Sequence, residues 1–272
     1  GVWGLGQLTR RDKSHAPTLI GLLSDADAEI RVQAAKVLGD AAVAEAGPKL
    51  VPLLTVASPR VRFYGAQALG RVGYKEAVPA LLSLLEQNKD EDHYLRHAGV
   101  VALARLKQTE PILALKSHPN KSLRLAAVLV LRRWKHEGVR GFLQDSDEYI
   151  VAGAARAINA DESIPTALPS LAALLREPRF TSEPILRRAL NAAQRVGNPE
   201  MIQWVLDFSK RPTLSEGVRA EALATIATWA RPSVLDRVDG RYRGVVTREA
   251  APIRAVIEPQ LAALLSDPNP EV

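Results

Sequence analysis

The sequence contains no cysteine. Disulfides, thiolate catalysis, Cys-ligated zinc and haem attachment through Cys-x-x-Cys-His are therefore excluded for this chain. Aromatic residues make up 5% of the 272 residues, too few for an aromatic-rich core. No run of 18 apolar residues occurs, so no segment reads as a membrane-spanning helix. No Gly-x-x-x-x-Gly-Lys-Ser/Thr loop and no Gly-x-Ser-x-Gly elbow is present. The glycines of "GVWGLG" follow no strand and read as packing residues. Carboxylates are scattered through turns and form no pair suited to acid–base work.

What is present is Ala, Leu, Val and Arg in quantity, a composition that loses little on entering a helix. Thirty-six Lys and Arg against 30 Asp and Glu leave a net charge of +6, which permits an acidic partner without requiring one.

The order of these residues repeats. "IRVQAAKVLGD" (30–40) returns as "VRFYGAQALGR" (61–71), and "LRHAGVVALARL" (95–106), "LRLAAVLVLRRW" (123–134), "IVAGAARAIN" (150–159), "LRRALNAAQRVG" (186–197) and "VRAEALATIATWA" (218–230) follow the same pattern. The spacings run from 27 to 35 residues, about the length of a two-helix repeat. A second motif alternates with the first. "APTLIGLL", "GPKLVPLL", "AVPALLSLL", "ALPSLAALL" and "IEPQLAALL" place a proline in the first turn of a Leu-bearing helix, at positions 17, 48, 79, 169 and 259. Proline costs nothing there because its missing N–H would have no partner. "ILALKSHPN" and "VRGFLQDSDE" read as shortened first helices without the proline, and "MIQWVLDF" as one more. Turns such as "SDADAE", "ASPR" and "DSDEY" supply the Asp, Ser and Pro that start helices. Each repeat is thus expected to be a Pro-led helix A, a polar turn and an Arg-bearing helix B.

This pattern resembles the HEAT repeat over nearly the whole chain, with "LLSDADAEIRVQAAKVLGD" (22–40) closest to it. The resemblance implies an all-α right-handed superhelix, a HEAT/ARM-like solenoid of about seven to eight helical hairpins. It implies little about activity, since such folds host many roles. Arg31, Arg62, Arg96, Arg124 and Arg219 stand early in helix B, where a cation opposes the macrodipole. In HEAT proteins such an arginine resembles a rung that meets an Asp in an inter-repeat turn, and Asp25 and Asp267 stand at those positions. A structural Arg/Asp ladder is the expectation. A row of phosphate-binding cations is the sharper alternative.

The reading treats residues 1–272 as one solenoid, truncated mid-repeat at both ends. "GVWGLGQL" aligns with the end of a helix B, and "IEPQLAALLSDPNPEV" is a helix A and turn. Between Trp229 and Ile257 the period breaks. Residues 231–256 form an irregular insertion carrying six arginines, with Asp239–Gly240 as a tight turn. Insertions in solenoids often emerge on one face where partners bind. Asp236, Arg237, Asp239, Arg241, Tyr242 and Arg243 are the candidate partner-binding loop, and a structural loop that covers an exposed repeat edge is the other reading of the same stretch.

Other candidates are weaker. His93 and His97 share one helix face but lack a third ligand at firm spacing, so no metal site is expected. Trp134 or Trp229 beside arginines could mimic the base-holding site of HEAT-like DNA glycosylases, yet no carboxylate is tied to them. A lyase acting on a bilin chromophore is suggested by the fold alone.

Three runs, "VWGLGQLTRRD", "RFYGAQALGRVGYKEAVPALLSLLEQNKDEDHYLRHAGVVALARL" and "PSVLDRVDGRYRG", resemble the HEAT-like middle segment of large planctomycete-type membrane-bound dehydrogenase-like or haem-binding Cys-x-x-Cys-His proteins. The resemblance implies a spacer or docking surface between a dehydrogenase-like propeller and a cytochrome c domain, exported to the cell envelope. Neither activity can be placed on a residue here. The sequence thus points to a non-catalytic interaction or scaffold module, with no catalytic residue, cofactor or metal of its own and a protein as partner. A nucleic-acid-binding HEAT protein is the alternative.

Overall fold

The structure, a computed structural model, describes residues 1–160 and 164–262. The described residues are helical, with a single isolated antiparallel bridge, Leu235 to Tyr242, and no strand. No helix among them is long and apolar enough to cross a membrane. The chain forms two compact units, Gly1–Trp134 and Lys135–Val272.

In the first unit, α1 (Val2–Arg11) is followed by four hairpins. They pair α2 (Ala16–Gly21) with α3 (Ala28–Asp40), α4 (Gly47–Leu50) with α5 (Pro59–Val72), α6 (Val78–Asn88) with α7 (His93–Leu106), and α8 (Thr109–Leu113) with α9 (Lys121–Trp134). Helices α2, α4 and α8 each tighten into a 3₁₀ turn before the connecting bend. The second helices start where the turn residues cap them. The Asp27 carboxylate accepts the Glu29 N–H at 2.7 Å, Asp92 accepts the N–H groups of Tyr94 and Leu95, and Asn120 accepts that of Ser122 at 2.8 Å. Such a cap contributes about 1 kcal/mol.

Helix α3 packs on α5, and α5 on α7. The Leu-Gly pair near the end of each makes this possible. A Cβ on Gly39 would lie 3.0 Å from the Ala68 Cα, and one on Gly70 would lie 2.6 Å from the Ala102 Cα. The glycines therefore set how closely successive helices B approach. Around this seam Leu19, Leu38, Leu50, Leu69, Leu81 and Ala102 are fully buried, each large side chain stabilising by about 1.5–3 kcal/mol relative to exposure.

The second unit opens with a 3₁₀ segment, Glu137–Gln144, paired with α10 (Glu148–Asn159). Then come α11 (Leu168–Ala172) with α12 (Glu183–Val196), and α13 (Pro199–Ser209) with α14 (Glu216–Ala227). Helix α12 packs against α10 and α14. The irregular stretch that follows is shorter than the sequence suggests. Residues 250–257 form a helix, α15 (Ala250–Ile257), with Pro252 in its first turn, where proline is tolerated. The described residues thus hold seven hairpins.

Candidate interaction site

The loop after α14 folds back on itself. The Arg248 N–H donates to the Ala230 carbonyl at 2.9 Å, the Arg243 N–H to Val234 at 2.8 Å and the Asp236 N–H to Arg241 at 2.7 Å. Gly240 closes the tip with a φ of 70°, a left-handed conformation that suits glycine. Asp239–Gly240 is therefore the tight turn its residue types suggest.

Asp236 anchors this loop. Its side chain is fully buried. One carboxylate oxygen accepts the backbone N–H groups of Val238 (2.9 Å) and Asp239 (3.2 Å). The other accepts Asn191 Nδ2 and Arg243 Nε, both at 2.9 Å. Burial pushes the Asp236 carboxyl up, but the hydrogen bonds from Val238, Asn191, Arg243 and Asp239 outweigh it and hold the group below the ordinary aspartate value. Asn191 Nδ2 also donates to Asn159 Oδ1 at 2.8 Å, and Arg243 Nη2 to the Asn159 carbonyl at 2.7 Å. Loop, α12 and α10 are thus tied by one buried polar network.

Arg248 makes a second anchor. Its guanidinium donates to the carbonyls of Trp229 and Gln194, each at 2.6 Å, and lies against Gly197 where a Cβ would collide with it. Trp229 is fully buried beneath it and donates its indole N–H to Gly197. Burial holds the Arg248 pKa below its ordinary value. Arg195, on α12, is lowered as well, by burial first and by the nearby Arg243 charge second. Arg195, Arg243 and Arg248 line a pocket of about 170 Å³ together with Gln194, Ser233 and Asp236.

The six loop residues singled out in the sequence divide between two tasks. Asp236, Asp239 and Arg243 face inward and form the brace, with Arg243 Nη2 3.3 Å from Asp239 Oδ2. Arg237 pairs with Glu221 of α14 at 2.6 Å. Arg241 and Tyr242 face outward, Tyr242 being 70% exposed, and Val234, Leu235, Val245 and Val246 are exposed beside it in the chain. Sequence reasoning missed Asn159, Asn191, Gln194 and Arg195. The available signal was a polar residue on the apolar stripe of helix B.

Three of the arginines early in helix B donate to backbone carbonyls at or before the turn that leads into them. Arg31 Nη1 donates to the backbone carbonyls of Asp25 (2.5 Å) and Ala26 (3.0 Å), while the Asp25 carboxylate accepts the Asp27 N–H. Arg124 Nη1 donates to the carbonyls of His118 and Pro119, and Arg219 Nε to that of Ser209. The Ser209 carbonyl ends α13, whereas the carbonyls of Asp25, Ala26, His118 and Pro119 lie in the bends just past the preceding 3₁₀ turns, so each arginine ties its helix to the connection that leads into it. Arg96 Nη1 meets a carboxylate of the turn before its helix, Asp90 Oδ1, at 2.5 Å. Arg62 Nε is buried without a hydrogen-bond partner among the described residues. Asp267 lies outside the described residues.

Links between repeats also occur at the C-terminal ends of helices B. In the first unit Asp40 sits between Arg10 and Arg71 and pairs with both, and Trp134 Nε1 donates to the Ala104 carbonyl at 2.8 Å. In the second, Gln194 donates to the Thr225 carbonyl and Asn191 to Asn159. His93 and His97 are exposed on α7, and no group of three or more His, Cys, Asp or Glu suited to a metal occurs among the described residues.

The model of the HEAT repeat family matches residues 47–116, the stretch from α4 through most of the α8 hairpin turn. Over that stretch the chain is similar to HEAT repeats, and helical hairpins recur along the described residues on both sides of it. No curated protein matches its sequence. Among solved structures, the archaeal HEAT-like repeats protein from Thermococcus onnurineus NA1 is 15% identical, covering 82% of this chain and 90% of that one with a TM-score of 0.44. The complex of CpcE and CpcF of phycocyanin lyase from Nostoc sp. PCC7120 gives 20% identity, 78% and 86% coverage and a TM-score of 0.40. Human deoxyhypusine hydroxylase gives 17%, 84% and 95%, and 0.36. Likeness at this level speaks neither to activity nor to partner.

Proposed function

We propose that this chain is a non-catalytic protein-interaction module whose contact surface is the braced loop 231–249. The observation that carries this reading is the loop's two-sided construction. Its inward side chains are locked by Asp236 and Arg248, while Leu235, Tyr242 and Val245 are 49%, 70% and 78% exposed. A rigid loop presenting Tyr and apolar groups amid arginines has the composition of an interface core, and little ordering entropy remains to be lost on binding. The similarity of the run Val238–Arg243 to planctomycete-type dehydrogenase-like haem proteins supports a further step, that the partner is a neighbouring domain of such a protein.

Two experiments test these parts separately. A photo-crosslinking residue placed at position 242 is expected to give protein adducts that the same residue at position 149, also exposed, does not give. Equal yields at the two positions would remove the loop from the reading. The intact mass of the native protein, with a haem absorbance scan on the same sample, tests the larger assembly. A mass near 29.5 kDa without a haem band would refute it. Binding to DNA that weakens steeply between low and moderate salt would favour the nucleic-acid reading instead.

A further inference from the structure

We infer that the cavity between the first turns of α5 and α7 is a cation site that takes a trimethylammonium group. It lies within the first unit, so the inference does not depend on what the 231–249 loop binds. Its volume is about 280 Å³, and Phe63, Tyr64, Tyr94 and Asp92 line it together with Arg60.

The rings are the first argument. Phe63 and Tyr64 meet edge to face, with 5.2 Å between centroids and 80° between planes, so they form two walls at nearly a right angle. Tyr94 adds a third ring. It is 78% exposed, and no ring or cation contact to it occurs among the described residues. Glu29 and Ser122 stand where Tyr94 does, second in α3 and α9, so the repeat itself does not call for an aromatic there. Ring faces carry the negative end of the quadrupole and attract cations. Arg60 shows this directly, its guanidinium lying 5.4 Å from the Tyr64 centroid.

Charge is the second. The whole chain carries +6, but residues 86–92, which lead into α7, hold the carboxylates of Glu86, Asp90, Glu91 and Asp92 against Lys89 alone. Asp90 is paired with Arg96. Asp92 is the one that lines the cavity. Its Oδ1 accepts the N–H groups of Tyr94 and Leu95, and its backbone N–H and carbonyl are both bonded to the Asn88 side chain. Its Oδ2 accepts no hydrogen bond among the described residues. Two features oppose a cation here, and both are answered. The positive helix ends are capped, since Ser58 and Asp92 take up first-turn N–H groups of α5 and α7 and Pro59 carries none. The Arg60 charge is matched by Glu29, Nε to Oε2 at 3.1 Å and Nη2 to Oε1 at 3.4 Å.

The donor count selects the cation. An ammonium brings several N–H donors and a guanidinium more, each needing an acceptor once it leaves water. Asp92 is the one carboxylate among the lining residues. A trimethylammonium has no donor to satisfy and presents its diffuse charge through methyl groups that pack on ring faces. The volume of about 280 Å³ falls just below the roughly 300–1,000 Å³ of sites for drug-sized ligands, so the cavity suits such a head group with a short stem.

The test is an NMR titration of the full chain with choline, read at the N-methyl resonance, against two analogues. Ethanolamine keeps the chain and the charge but lacks the methyl groups. The neutral alcohol 3,3-dimethyl-1-butanol keeps the shape but lacks the charge. Choline is expected to bind saturably, with its methyl protons shifted upfield by the rings, and more tightly than either analogue by about fivefold or more. A parallel titration with N-acetyl-trimethyllysine amide separates the sources: tighter binding than choline identifies a methylated side chain, and weaker binding a free small ligand. Tyr94→Ala removes an exposed ring and is expected to weaken choline binding by about fivefold or more. Asp92→Asn keeps a capping side chain while removing the charge and is expected to weaken binding as well, which keeps the test decisive if Tyr94→Ala does not fold. Tyr149→Ala, which removes an exposed tyrosine of the second unit, should bind choline as the wild type does. No saturable shift, equal affinity for choline and the neutral alcohol, or wild-type affinity in a folded Tyr94→Ala or Asp92→Asn would overturn the inference.

Discussion

The two units join successive helices B in different ways. In Gly1–Trp134 the seam is made by absence of side chain. Gly6, Gly39 and Gly70 let the next helix approach until a Cβ would lie within 3.0 Å of its atoms. In Lys135–Val272 the seam is made by polar side chains. Asn159, at the end of α10 where Gly39 stands in α3, is fully buried and bonded to Asn191, which is bonded in turn to Asp236. Among the described residues, six of the eight buried polar ones belong to this second unit. Glycine packing specifies distance and little else. A hydrogen-bonded network also specifies orientation, because each buried group left unmatched costs desolvation energy. The second unit spends that specificity on one loop, which suggests that the position of the loop matters more than the regularity of the stack.

Removing the anchor should give the largest effect. Asp236→Ala strips Arg243 and Asn191 of a shared acceptor and the loop of two backbone contacts. Breaking a buried pair from one side costs about 3–5 kcal/mol, so chemical denaturation should show the second unit losing stability while the first unit keeps its own transition. The same group gives a pH signature. Because the folded carboxyl titrates below its unfolded value of 3.8, its contribution is complete well above that value. The contribution falls away as acid passes through the lower folded pKa. The wild type should lose stability in acid more steeply than Asp236→Asn. Parallel acid curves for the two would show that the network does not hold the loop.

The glycine seam can be broken from the opposite direction, by adding one carbon. Gly70→Ala places a methyl 2.6 Å from the Ala102 Cα and 3.3 Å from its carbonyl oxygen, atoms of backbone that cannot step aside. Overpacking of this kind costs about 1–3 kcal/mol, partly offset by the better helix propensity of alanine, up to about 1 kcal/mol. Gly4→Ala in α1 is the matched control, since nothing lies within 4 Å of the added carbon, and its melting midpoint should hold or rise. A destabilised Gly4→Ala, or a Gly70→Ala as stable as wild type, would mean that backbone approach does not set the spacing.

Much of this architecture is legible in the residues. The prolines at 17, 48, 79 and 169 do stand in first turns, and the Asp-x-Asp spacing in "SDADAE" and "DSDEY" yields the same structure twice. The first aspartate accepts the second's N–H, and the second caps the helix. These signals are local, so one sequence suffices to read them. The brace of the loop is not local. Asn191 lies 45 residues from Asp236, and Arg243 lies 84 from Asn159, and no periodicity connects them. Polar residues at 159 and 191 interrupt an otherwise apolar stripe, which marks them as exceptional without naming their partners. The carbonyl contacts of Arg31, Arg124 and Arg219 are hidden in another way. The spacing of these arginines was visible, but an arginine that meets a carbonyl leaves no trace in the identity of the residue that supplies it.

That distinction gives the smallest predicted effects and separates two arginines that look alike in sequence. Arg31 and Arg60 each stand at the start of a helix B. Arg31 is partly buried and donates twice to the carbonyls of Asp25 and Ala26, in the bend that leads into α3. Arg60 pairs with Glu29 in solvent, with side chains 59% and 52% exposed, and both long chains lose entropy to hold that geometry. Arg31→Ala should therefore lower stability by about 1–2 kcal/mol, and Arg31→Lys should restore part of it, since both bonds come from one nitrogen, Nη1, which an ammonium can replace. Arg60→Ala should leave the melting midpoint unchanged at moderate salt. If raising the salt concentration erased the cost of Arg31→Ala, that arginine would be acting as a surface charge like Arg60, and the carbonyl contact would carry no weight in the repeat.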